Sequence, residues 1–194
     1  MTQPSIPNPL TSYIDAPSGP FVQTALSIKA SAIVRRTAQF GLTQAQESPQ
    51  QFEKWLLIWA CDIAGELGEY IDSMDIVEAG DVLWGITAMC LLLDIPVRLV
   101  FRQDDRVKGI MAGYQNSEIL VQVLSLLDVC KKITRDGMDK RPIDRTQLTE
   151  HMQLLFHWLE VHCDVDEALA AVDAKLLRRY PNGFTSEDSV NRIH

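Results

Sequence analysis

Acidic residues are concentrated in one apolar segment of this sequence, and their spacing suits a metal ion. Between Trp55 and Val97 there are eight acidic residues and no lysine or arginine. Burying a carboxylate without a partner is costly, so the segment requires a cation that its own sequence does not supply. The eight residues are Asp62, Glu66, Glu69, Asp72, Asp75, Glu78, Asp81 and Asp94.

Helical spacing places these acids on common faces. Asp62, Glu66 and Glu69 are separated by four and three positions, and Glu78 and Asp81 by three, so each set shares one side of a helix. A hairpin of two such helices would bring the sets together, where like charges raise each other's pKa unless a cation lies between them. Ligands that are all oxygen suit Mg²⁺ or Mn²⁺ and suit zinc poorly.

A solvated acidic face on an amphipathic hairpin is the simpler explanation for this run of charges. The flanking sequences WLLIWACDIAG and VLWGITAMCLLL are apolar, however, and no basic residue lies among the acids, whereas surface helices usually mix both signs. We therefore favour a divalent-metal site. Gly65, Gly68 and Gly80 disfavour a helix, and they predict a close approach of backbones or room for a ligand.

The elements that must position the acids are predicted to be helices. Runs with a helical period dominate after residue 20, and almost no run alternates as a strand does. Ser48 and Pro49 predict the start of a helix over residues 50–74, and the next helix spans residues 75–93. The hairpin of these two helices carries the acids.

The remaining pattern completes an all-α helical bundle of about six or seven helices. It forms one domain over residues 21–184, with an irregular proline-rich arm over 1–20 and a polar tail over 185–194. The first helix is predicted to span residues 21–40 and to end at Gly41. The helices after the acidic hairpin are predicted to span residues 97–111, 117–135, 144–163 and 164–179.

A faint internal repeat would divide the domain into halves 21–113 and 114–184. ELGEYIDSM with EAGDVLW can be aligned with LSLLDVCKKI and TEHMQLLF. Two amphipathic helices often align this well by chance, so duplication and coincidence both stay open. The alignment matches Glu66 with Ser125, Glu69 with Asp128, Glu78 with Glu150 and Asp81 with Gln153.

Composition limits the classes of partner. A formal net charge of −8 argues against nucleic-acid and membrane-surface binding, which need a basic surface. No run approaches the roughly 18 apolar residues that span a bilayer, and the first residues lack the features of a signal peptide. Four well-separated cysteines predict buried free thiols in the reducing cytoplasm.

Two motifs resemble a known enzyme superfamily. Glu66-x-x-Glu69, followed by Glu78-x-x-Asp81 and VLW, resembles the signature of the MazG-like all-α nucleoside triphosphate pyrophosphohydrolases, which are related to dimeric dUTPases and dCTP pyrophosphatases. AKLLRRYPNGF followed by SEDSVNR resembles the C-terminal signature of the MazG-like branch. The spacer between the acidic pairs is short for the family, which predicts a tight hairpin. The resemblance leaves residues 97–164 unassigned.

The resemblance implies a reaction and a metal. The reaction is Mg²⁺-dependent hydrolysis of a nucleoside triphosphate, a deoxynucleotide by preference, to the monophosphate and pyrophosphate, with Mn²⁺ as a substitute metal. Glu69 is the first candidate for the general base and Glu66 the second. A homodimer or a higher homo-oligomer is also implied. The implied metal ligands are Glu66, Glu69, Glu78 and Asp81.

The resemblance also implies a phosphate-binding group. Lys175 matches a basic residue that approaches the triphosphate, and Arg178 and Arg179 are predicted to assist it. The family often has asparagine two positions before this lysine, where this chain has Asp173. A carboxylate cannot donate a hydrogen bond, so the nucleotide contact at this position is in doubt.

Two tryptophans are candidates for the nucleobase contact. Trp84 and Trp59 could stack on the base, although a tryptophan at helical spacing more often belongs to the core.

Two rival functions stay open at this point. One rival function is a catalytically inactive module of the same fold that binds nucleotide or protein. The other is a di-iron bundle, which requires Glu-x-x-His pairs that this sequence lacks.

Overall fold

The computed structural model describes residues 25–180, which form nine α-helices and no strand. The predicted all-α bundle is therefore confirmed. The predicted arm over residues 1–20, the tail over 185–194 and most of the C-terminal motif lie outside the described residues. The helices are α1 (Ala25–Thr37), α2 (Gln39–Ala45), α3 (Pro49–Ser73), α4 (Ile76–Leu92), α5 (Val97–Val100), α6 (Asp105–Met111), α7 (Asn116–Asp136), α8 (Arg145–His162) and α9 (Val165–Arg179).

The acidic hairpin, α3–α4, begins and ends where its capping residues predict. Ser48 accepts a backbone hydrogen bond at the start of α3, and Pro49 is the first helical residue. Helix α3 ends at Met74 in the left-handed conformation, with φ 56°. Asp75 then caps α4 by accepting a backbone hydrogen bond of 2.9 Å. Only these two residues separate the helices, so the hairpin is as tight as its short spacer predicts.

Two predicted helices differ from the structure. The expectation that Gly41 ends the first helix is wrong, because α1 stops at Thr37 and α2 continues through Gly41. A Cβ at Gly41 would lie 2.8 Å from the Trp55 ring, so this glycine allows close packing instead. The predicted helix over residues 97–111 is two short helices, α5 and α6, and Asp104 caps the second.

Helix α4 is the centre of the bundle, with α3, α9 and α1 packed around it. Its approach to α9 depends on Gly80, because a Cβ there would lie 2.3 Å from the carbonyl oxygen of Ala168. The predicted close approach of backbones is therefore found at Gly80. A Cβ at Gly65 or Gly68 would meet nothing within 4 Å.

Helices α7 and α8 form a second hairpin, and α7 packs against α3. The residues that the repeat matches to the acids do not form a second cluster. Asp128 is exposed and pairs with Lys132, whereas Glu150 is buried on α8. Within residues 25–180, the only acidic or metal-ligating group of three is on α3 and α4. The internal duplication itself stays a prediction.

All four cysteines are free thiols, as predicted. The prediction that they are buried is wrong for Cys61, which is exposed, and holds for Cys90 and Cys130. Burial raises the pKa of Cys130 to about 12, which leaves this thiol unreactive. In the part of the chain that the structure describes, no helix has the length and apolar character needed to cross a membrane.

Candidate functional site

Three carboxylates of the α3–α4 hairpin lie close together. One oxygen each from Glu66, Glu78 and Asp81 lies within 4.8 Å of the other two. Helix α3 contributes Glu66, and α4 contributes Glu78 and Asp81 from successive turns. All three residues are half-buried. We call this group the acid triad.

The acid triad concentrates negative charge in a partly buried place. Burial raises the pKa of Glu66 to about 8, and a hydrogen bond with the Glu78 side chain and the charge of Asp81 add to this effect. Burial also raises the pKa of Asp81, although Lys175 opposes the change. A cation placed among these oxygens would stabilise the ionised carboxylates.

Lys175 of α9 is bound to the acid triad. Its Nζ donates a hydrogen bond to Asp81 Oδ2, and only 17% of the Lys175 side chain and 12% of the Asp81 side chain are exposed. Arg179, one turn further along α9, lowers the pKa of Asp81 through its charge. When all three carboxylates are ionised, Lys175 leaves an excess of negative charge that a divalent cation would balance.

The fourth predicted metal ligand, Glu69, lies outside the acid triad. Its side chain is exposed, as are those of Asp62 and Asp72, whereas Glu66 is half-buried against α4. Residues three apart differ by about 60° around a helix, so the rotation of α3 decides which of the two glutamates points into the hairpin. The predicted acidic face is thus divided between the site and solvent, and metal binding by Glu69 stays a prediction.

The basic end of α9 lies beside the triad, and it is accompanied by a residue that sequence reasoning missed. Arg178 and Arg179 are exposed in the last turn of α9. The guanidinium of Arg36, at the end of α1, pairs with Asp173 on α9. The position where the resemblance expects asparagine therefore carries a charge-paired aspartate. No local pattern reveals this pair, because 137 positions separate its members.

The two tryptophans predicted to contact a nucleobase have different surroundings. Trp59 is only 1% exposed and packs against Trp55 with a centroid distance of 5.5 Å, so it belongs to the core, and its contact with a nucleobase stays a prediction. Trp84 is half-buried, and its Nε1 donates a hydrogen bond of 2.8 Å to Thr37. It follows Asp81 by one helical turn, so Trp84 remains the candidate at the edge of the site.

The triad contains only oxygen ligands. His157 pairs with Glu160 on α8 at 2.8 Å, and this buried pair is not part of the triad. The arrangement gives no support to the di-iron alternative. No protein-family model, curated protein or solved structure matches this chain. The acid triad and the basic end of α9 are therefore the features from which a function follows.

Proposed function

We propose that this protein is a Mg²⁺-dependent nucleoside triphosphate pyrophosphohydrolase of the MazG-like superfamily. It would convert a nucleotide, preferably a deoxynucleotide, to the monophosphate and pyrophosphate. The observation that carries the proposal is the ion pair between Lys175 on α9 and Asp81 of the acid triad. This pair brings carboxylate oxygens of the kind that bind Mg²⁺ next to a cation of the kind that binds phosphate, and hydrolysis of a phosphoanhydride requires both.

The residues of the acid triad fit Mg²⁺. This ion prefers hard oxygen ligands and usually takes one or two carboxylates together with water and substrate phosphates. Glu66, Glu78 and Asp81 offer three such oxygens within 4.8 Å of one another. Bound Mg²⁺ would neutralise the phosphate oxygens and make the attacking water more acidic. Mn²⁺ accepts the same ligands.

The basic end of α9 supports phosphate binding. Lys175 donates a hydrogen bond to Asp81. Its ammonium has further N–H groups, and these can donate to a phosphate oxygen. The exposed Arg178 and Arg179 can bind the outer phosphates and stabilise the charge that develops on the pyrophosphate leaving group.

Glu69 is the candidate for the general base. It is exposed and not part of the acid triad, so its carboxylate is available to accept a proton from water one helical turn from Glu66. Glu66 is the second candidate, because it is the triad member on the same helix.

A module that binds nucleotide or protein without turnover is the second candidate function. The acid triad and Lys175 supply metal ligands and a cation for phosphate without any further residue. This module would differ from the enzyme in one respect, namely that no residue would act as the general base.

The resemblance also leads us to propose a homodimer in the cytoplasm. Val121 and Leu124 on α7 are 48% and 57% exposed, and exposed apolar side chains in proximity are common at subunit interfaces. The four free thiols suit a reducing compartment. Sedimentation at several protein concentrations tests the oligomeric state.

Product analysis tests the proposed reaction. The protein is incubated with each common ribonucleotide and deoxyribonucleotide triphosphate and Mg²⁺, and the products are separated. We expect monophosphate and pyrophosphate from at least one substrate. Glu78→Gln should abolish turnover, and Asp72→Asn, which removes an exposed carboxylate of α3 outside the triad, should retain it.

The other outcomes discriminate between the proposals. Diphosphate and orthophosphate as products would overturn the assigned cleavage between the α- and β-phosphates. Metal and nucleotide binding without turnover, in either Mg²⁺ or Mn²⁺, would establish the binding module instead.

A further inference from the structure

The last turn of α1 contacts both helices that frame the site, through two adjacent residues. The Arg36 guanidinium pairs with the Asp173 carboxylate on α9, two positions before Lys175. Thr37 accepts the 2.8 Å hydrogen bond from Trp84 Nε1 on α4, one turn after the triad's aspartate. The end of α1 therefore joins α4 and α9 close to the two groups that meet in the site.

A second ion pair shows that α1 and α9 run parallel in a defined register. Lys29 Nζ lies 3.7 Å from the Asp166 carboxylate and donates a hydrogen bond of 3.0 Å to the Asp166 carbonyl oxygen. In each pair the α9 residue follows the α1 residue by 137 positions. The distance along α1 from Lys29 to Arg36 therefore equals the distance along α9 from Asp166 to Asp173, and both are about two helical turns. A shift of α9 along α1 would therefore displace both pairs together.

The C-terminal turns of α9 need such an attachment. Close packing holds the first two turns of α9 to α4, where Ala168 and Val172 lie against Gly80. Lys175 lies beyond this contact, near the end of the helix at Arg179, and helix ends fray. In the proposed function Lys175 also binds phosphate, so its pair with Asp81 needs support from a contact that the nucleotide does not share.

We propose that Arg36 is a positioning residue that holds the C-terminal turns of α9 against α4 and thereby keeps Lys175 at the acid triad. Its effect on catalysis rests on the proposed function, whereas its effect on Lys175 does not. Arg36 acts through Asp173. Because 43% of the Arg36 side chain and 28% of the Asp173 side chain are exposed, the pair contributes little to overall stability. Removing it should therefore leave the fold intact.

The first experiment observes Lys175 directly and does not depend on activity. The ¹H–¹⁵N signal of a lysine ammonium is visible when a buried ion pair slows its exchange with water, and its loss in Lys175→Gln assigns it. We expect the signal in the wild type and in Arg36→Lys, which retains the charge, and we expect its loss in Arg36→Gln and Asp173→Asn. Lys29→Gln is the matched control, because it removes the other α1–α9 pair, and it should retain the signal.

An unchanged Lys175 signal in Arg36→Gln would overturn the proposal. So would an equal loss in Lys29→Gln, because a general loosening of α1 from α9 would then explain the effect. Circular dichroism should show the same helical content in both variants. Should Arg36→Gln fail to fold, Asp173→Asn provides the same comparison from the other side of the pair.

The second experiment measures hydrolysis. Arg36→Gln should raise the nucleotide KM about threefold, because an exposed ion pair holds α9 in place only modestly. Lys29→Gln should keep the wild-type KM, and the charge reversal Arg36→Asp with Asp173→Arg should restore much of the loss. A KM that is the same in Arg36→Gln and the wild type would contradict the role in binding.

If the wild type hydrolyses no nucleotide, the proposed function fails. The NMR comparison still decides whether Arg36 positions Lys175.

Discussion

Lys175 on α9 donates a hydrogen bond to Asp81 on α4, although 94 positions separate the two residues. The contact makes α9 part of the acidic site. Lys175 would therefore compete with a metal ion for this carboxylate. It neutralises part of the charge of Asp81, and in the proposed function its ammonium would also bind phosphate.

Lys175→Gln should bind free Mg²⁺ more tightly and nucleotide less tightly than the wild type. Removing a buried ammonium from Asp81 removes a competitor of the metal, so the Mg²⁺ affinity should rise by about threefold to tenfold. The nucleotide KM should rise by about tenfold or more, because a charged hydrogen bond to phosphate is lost. Calorimetry with Mg²⁺ alone and steady-state kinetics measure the two effects.

Arg178→Gln is the control for this variant, because Arg178 is exposed at the end of α9. It should leave the affinity for free Mg²⁺ close to that of the wild type. If Lys175→Gln weakened the binding of free Mg²⁺, competition between lysine and metal would be excluded.

Without metal, the wild type should lose stability relative to Glu66→Gln as pH rises. Folding raises the pKa of Glu66 from 4.5 to about 8, mainly through burial. Between these values the folded state binds more protons than the unfolded state, so the free energy of unfolding falls with increasing pH. Glutamine has no proton to lose. Urea unfolding of both proteins below, within and above this pH range measures the difference.

Saturating Mg²⁺ should remove this relative loss in the wild type and leave Glu66→Gln unaffected. Asp72→Asn, which changes an exposed carboxylate on the same helix, should follow the wild type. A constant stability difference between the wild type and Glu66→Gln at all pH values would contradict the raised pKa.

Glu78→Gln and Glu69→Gln should separate metal binding from proton transfer. Glu78 contributes an oxygen to the acid triad, so its replacement should abolish Mg²⁺ binding and turnover together. Glu69 is exposed outside the triad. Its replacement should leave free Mg²⁺ affinity nearly unchanged and lower kcat by about 10²–10⁴-fold, the usual contribution of a general base.

Calorimetry and single-turnover kinetics on both variants check this separation. A loss of Mg²⁺ affinity in Glu69→Gln would instead establish Glu69 as a fourth ligand that joins the triad when the metal binds. Full activity in Glu69→Gln would leave Glu66 as the remaining candidate for the base.

The acidic hairpin could be predicted because its signals are local. Ser48, Pro49 and Asp75 lie where the helices begin, and each cap acts within one turn. The meeting of Glu66 with Glu78 follows from a tight hairpin. The exclusion of Glu69 does not follow, because the rotation of α3 depends on packing against α2, α4 and α7, which no spacing within the helix encodes.

The other misses have the same physical origin. A glycine such as Gly41 usually ends a helix, yet here it allows the Trp55 ring to approach the backbone of α2. The pair of Arg36 with Asp173 joins the first described helix to the last. Its charges have no neighbours in sequence that would mark them as partners, so only the packed bundle reveals them.

Gly80→Ala should destabilise the protein, and Gly65→Ala should stabilise it, although both change glycine to alanine within the same hairpin. A Cβ at Gly80 would lie 2.3 Å from the Ala168 carbonyl oxygen, and such overpacking typically costs about 1–3 kcal/mol. A Cβ at Gly65 would meet nothing within 4 Å, so the helical preference of alanine should add about 0.5–1 kcal/mol. Urea unfolding measures both free energies.

Because the clash at Gly80 pushes α9 away from α4, Gly80→Ala should also weaken the Lys175–Asp81 pair. Loss of the Lys175 ammonium NMR signal in a folded variant would report this weakening. Equal stability of the two variants would mean that α4 and α9 separate at little cost, and α9 would then be too loosely held to position a catalytic lysine.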